Sequence, residues 1–157
     1  MNRSLIIGIG NTLRGDDGAG VYAAERISPE LPDTDVVLTQ ELHPELADRI
    51  REYANVLFID ASLRTRRPVI TILDPDAETP HPSSHALSPE GLLSLCRSTY
   101  QSLPRCAVLI EIPAFDCDLG EKMTEATERM VDLCVGLVPE ILAGKSVEKV
   151  SFGPDRI

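Results

Sequence analysis

Short apolar runs and helical apolar stripes alternate along the chain. The first run, RSLIIGI at residues 3–9, ends in Gly8 and Gly10, as a buried strand does when it enters a tight turn. The segment GAGVYAAERI (18–27) then sets Val21, Ala24 and Ile27 at helical spacing, with acidic residues just ahead, where a helix dipole favours them. Residues 36–39 predict a second strand, and Pro44 starts a helix through Tyr53 with Leu46 and Ile50 four apart. VLFI (56–59) is the most apolar strand candidate and ends at Asp60; residues 69–73 add a strand after a turn holding Arg64, Arg66 and Arg67. Residues 74–84 are too polar and too broken for a regular element, whereas SPEGLLSLCRSTY (88–100) opens with the Ser, Pro and Glu of a helix N-terminus. AVLIEI (107–112) is the last strand. A long helix spans 123–142, with Ala126, Met130, Leu133, Leu137 and Ile141 on one stripe, and the tail after Gly144 reads as frayed.

This alternation predicts an α/β fold: a three-layer sandwich with a twisted, mainly parallel sheet of about five strands and helices on both faces. No repeat or linker divides the chain, so one domain over residues 1–157 is expected. In such a fold the functional loops lie at the carboxyl ends of the strands.

Charge and composition narrow the function classes. With 25 acidic against 15 basic residues the formal charge is −10, and the field opposes nucleic acid and anionic membrane surfaces. Aromatics at 4% with no Trp leave little for base stacking. No apolar run is long enough for membrane insertion, and the N-terminal stretch lacks a signal peptide's form, so a cytoplasmic setting is expected. Cys96, Cys106, Cys117 and Cys134 are widely spaced without a CxxC, which reads as reduced thiols.

The loop GIGNTLRGDDGAG lies where nucleotide folds bind phosphate. Leu13 replaces the third glycine of GxGxxG, however, and Asp16-Asp17 replaces the Lys-Ser/Thr of a P-loop. Two carboxylates repel phosphate; they suit a cation, or they complement the dipole of the following helix. Asp60 faces the same rim, as a ligand or as a turn cap. His43, His81 and His85 are the imidazoles, and one of them beside two carboxylates would make an open site for a divalent transition ion. Cys117 lies within DCD, where flanking acids oppose thiolate formation, and no GxSxG elbow occurs. The three turn arginines read as a solvated turn or as a contact for an acidic partner.

GIGNTLRGDDGAG, VLFIDA and SSHALSPEGLL together resemble the nickel-iron hydrogenase maturation proteases, over roughly residues 3–142. The resemblance implies a metal-dependent processing endopeptidase that removes a C-terminal extension from a hydrogenase large-subunit precursor. Matched by motif, its site falls on Asp17, Asp60 and His85, as metal ligands and catalytic groups, with His43 an additional site candidate. It further implies that the metal is nickel presented by the precursor, that no tightly bound organic cofactor is needed, and that Asp16 or Asp17 serves as base. The alternative is a noncatalytic module of the same fold that docks on the nickel-loaded precursor without cutting it. The stretch EIPAFDCDLGEKMTEATERM matches the family only loosely.

Overall fold

The computed structural model describes residues 2–27, 29, 31–76 and 87–145. Five strands, β1 (Ser4–Ile9), β2 (Thr34–Thr39), β3 (Asn55–Ser62), β4 (Val69–Ile72) and β5 (Cys106–Pro113), form one sheet in the order β2-β1-β3-β5-β4. Four are parallel, and β4 closes the edge antiparallel to β5. The helices are α1 (Ala19–Ile27), α2 (Leu46–Ile50), α3 (Pro89–Tyr100) and α4 (Glu125–Leu142). The expected three-layer architecture is observed.

Strand pleating sorts the core into two halves. Ile6, Leu57, Ile59 and Ile110 pack with Ile27 of α1 and with Val131, Cys134 and Val138 of α4. Leu5, Ile7 and Phe58 face the other way, against Ile50 of α2 and Leu92, Leu93 and Cys96 of α3. β1 and β3 are buried on both faces, which is why they read as continuous apolar runs rather than alternating ones.

Three expectations are corrected. The helix expected from Pro44 to Tyr53 is regular only over Leu46–Ile50, with turns on either side. Asp60 does not follow β3 but lies inside it, because the ladder with β5 continues through Asp60↔Glu111, Ala61↔Ile112 and Ser62↔Pro113. In α4 the buried stripe is Thr127, Met130, Val131, Cys134, Val138 and Ile141, so Ala126, Leu133 and Leu137 are only partly covered. The N-terminus of α3 forms as its sequence predicts: Ser88 accepts a hydrogen bond from the Gly91 N–H at 3.0 Å, ahead of Pro89.

Small residues let α1 sit directly on the sheet. A Cβ on Gly20 would stand 2.2 Å from the Ile59 carbonyl oxygen and 2.5 Å from that of Ile9, with only backbone to give way. Gly20→Ala is therefore expected to destabilise the protein by about 1–3 kcal/mol, the usual range for overpacking. An unchanged denaturant midpoint would contradict this close approach.

Candidate active site

The loops after β1, β3 and β5 meet at the carboxyl rim of the sheet and enclose a cleft of about 460 Å³. Asp17, Arg14, Ser62, Arg64, Glu111 and Cys117 are among its walls. The loop after β1 closes in a 3-10 turn, Gly15–Gly18, that splits the acidic pair.

Asp16 points inward and is fully buried. Its carboxylate accepts hydrogen bonds from the backbone N–H groups of Phe115 (2.8 Å), Asp116 (3.0 Å) and Thr124 (2.7 Å) and from the Thr124 hydroxyl (2.9 Å). Burial acts to raise its pKa, but the backbone donors reverse that and hold the carboxyl below its ordinary value. With both oxygens committed, Asp16 is not available as a base. It binds the first loop to the β5–α4 loop and to the N-cap of α4, where the Thr124 hydroxyl also accepts from Thr127 N–H.

Asp17 turns the other way, into the cleft, and is half-buried. One of its oxygens accepts the Asn11 N–H at 2.9 Å, which fixes the side chain and leaves acceptor capacity free. Gly10 makes this placement possible. Its φ is +148°, and a Cβ there would lie 1.9 Å from the Asp17 carbonyl oxygen. The loop's glycines thus serve backbone-to-backbone approach.

Asp60 does not itself line the cleft; it precedes Ala61 and Ser62, which do, and one of its oxygens accepts the N–H of Ala61 at 2.8 Å. Burial, with Asp17 and Glu111 adding negative charge nearby, pushes its pKa up to about 7 against the single lowering bond from Ala61. Glu111 is the residue that sequence reasoning missed. It is the register partner of Asp60 on the adjacent strand, so the two side chains leave the sheet on the same face. The available signal was the parallel between VLFID and VLIE, two apolar runs each ending in an acid.

The remaining candidates separate. His43 is exposed in the β2–α2 connection, and β2 is two strands away from β3. His81 and His85 lie outside the described residues. Among the described residues no group of three His, Cys, Asp or Glu side chains is arranged to hold a metal ion. Cys117 is held protonated by burial and by the charges of Asp17, Asp16 and Asp116, in line with its expected inertness as a nucleophile. All four cysteines are free thiols. No helix among the described residues is long and apolar enough to cross a membrane.

No protein-family model and no curated protein matches the chain. Solved structures do. The hydrogenase maturating endopeptidase HybD from Escherichia coli superposes with a TM-score of 0.72 at 19% identity, covering 92% of this chain and 94% of that one. The NiFe hydrogenase maturation protease HycI from Thermococcus kodakarensis gives 0.68 at 29% identity, covering 90% and 93%. A hydrogenase 2 maturation peptidase from a Thaumarchaeota archaeon gives 0.67 at 26% identity, covering 92% and 99%. The chain thus has the fold of the nickel-iron hydrogenase maturation proteases, and the resemblance carried by its motifs extends in three dimensions over about nine-tenths of its length.

Proposed function

We propose that the protein is a processing endopeptidase that removes the C-terminal extension of a nickel-loaded hydrogenase large-subunit precursor. The observation that carries this reading is the closeness of Asp60 to Asp17, whose charge it feels and which lines the cleft on the carboxyl rim, in the fold of hydrogenase maturation proteases. A cytoplasmic setting goes with it.

In this reading the nickel ion arrives with the substrate, and Asp17, Asp60 and His85 take hold of it. His85 precedes the α3 N-cap, Ser88, by three residues in the chain. Two carboxylates and one imidazole, without thiolate, suit transient engagement of an ion already held elsewhere. An ion held there would anchor the C-terminal segment against the cleft and supply Lewis-acid polarisation to the scissile carbonyl. Asp17, fixed by Asn11 but open to solvent, is the base for the attacking water.

Processing is therefore expected only with nickel-loaded precursor. Chromatography of matched precursor samples with and without nickel, each incubated with the protein, checks this. Equal cleavage of the nickel-free sample would contradict the ion's role, and a stable uncut complex with the loaded sample would favour the noncatalytic module.

A further inference from the structure

Beside the cleft lies a second depression, of about 660 Å³, between the β3–β4 turn and α4. Its floor is apolar: Phe115, Ala126, Met130 and Leu133. The last three sit at i, i+4 and i+7 on α4, so this helix presents a wider apolar arc than the core covers. Phe115 is 46% exposed, and its neighbours Ala114 and Cys117 line the cleft, so the two depressions meet across the one loop that Asp16 holds in place.

The rim supplies the charge. Arg66 and Arg129 flank the apolar floor, and both are exposed. Among the described residues neither arginine lies within 4.0 Å of a carboxylate, whereas Asp132, the acidic residue on this rim, is engaged by Arg26. In a chain of formal charge −10, Arg66 and Arg129 without such a partner beside an apolar floor are complementary to an acidic, apolar ligand.

Resting on the processing function proposed above, we infer that this groove is a docking subsite for an extended segment of the protein substrate that carries an apolar side chain beside a carboxylate. It engages the substrate away from the bond that is cut. Binding energy from such a remote contact holds the precursor while the cleft acts on its end.

The test uses nickel-loaded large-subunit precursor from the same source, with binding and cleavage measured separately. The variants are Arg66→Glu/Arg129→Glu, which reverses the rim charge, Arg66→Lys/Arg129→Lys, which keeps it, and Ala126→Trp, which fills the groove. The inference predicts that charge reversal and the tryptophan each weaken binding and raise KM by at least about tenfold with kcat retained, while the lysine pair stays near the unmodified protein. Unchanged binding in the charge-reversed and filled variants, with cleavage intact, overturns the subsite and leaves the proposed function standing. Groove-dependent binding without cleavage supports the subsite and removes the endopeptidase reading. Absence of both binding and cleavage in the unmodified protein removes both. Sedimentation of the protein alone completes the set: self-association that the same variants abolish would make the occupant a second copy and overturn the assignment.

Discussion

Asp60→Asn is expected to abolish processing while making the free protein more stable at pH 8. The carboxyl is held by burial and by the charges of Asp17 and Glu111 at a pKa of about 7, above its ordinary 3.8. The native state therefore keeps a proton that the unfolded chain has released. That contribution to stability is fully present below about pH 4 and is lost as pH rises through about 7, where the ionised group opposes folding. Asparagine carries no charge to bury. With allowance for the carboxyl's partial contact with solvent, its advantage at pH 8 is on the order of 1–3 kcal/mol and shrinks toward pH 4. Processing falls by at least about a hundredfold, because the amide neither takes the ion as a carboxylate does nor holds charge at the site. Thermal melts at pH 8 and pH 5, paired with a cleavage assay, check both halves. A lower melting temperature at pH 8 or retained processing would count against Asp60 as a functional carboxylate.

The second large effect belongs to its structural counterpart. Asp16→Ala removes the buried acceptor of three part-buried backbone N–H groups, those of Phe115, Asp116 and Thr124. A buried donor without a partner costs about 1–3 kcal/mol, and with water able to reach some of these part-buried groups a total loss of about 2–4 kcal/mol is expected. The pH dependence has the opposite sign to that of Asp60. The Asp16 pKa is lowered in the folded protein, so its contribution is present above the unfolded value of 3.8 and is lost as pH falls through the folded one. Asp17→Asn, by contrast, keeps an acceptor for Asn11 and is expected to change stability by less than about 1 kcal/mol while removing activity. Denaturant titrations of the two variants decide the matter. Equal stabilities would show that the pair is not divided in this way.

The division of that pair was illegible in the sequence, since adjacent aspartates look alike until the chain closes a 3-10 turn and sends one inward. The strands were legible because β1, β3 and β5 are buried on both faces or nearly so, and continuous apolar runs show without any periodicity. The antiparallel sense of β4 was not, because a short, largely exposed edge strand carries no direction in its residue pattern and an open edge accepts either sense. The α4 stripe was displaced for a comparable reason. Ala126, Leu133 and Leu137 satisfy helical spacing as well as the residues that are buried, and the sheet chooses between the two arcs. Glu111 was hidden because its partnership with Asp60 exists only in the β3–β5 register. Asp17 and Asp60 were singled out from motif and position; Asp17 lines the cleft, and Asp60 lies close enough to feel its charge without lining the cleft itself.

In the proposed function a nickel-loaded precursor is cut at this cleft with Asp17 and the neighbouring Asp60 as the working carboxylates. Intact-mass spectrometry of such a precursor, incubated with the unmodified protein and with Asp17→Asn, tests it most directly. The account predicts loss of one discrete C-terminal peptide with the unmodified protein alone. A precursor left at full mass, with its nickel content verified, or cut equally by the variant, would contradict it.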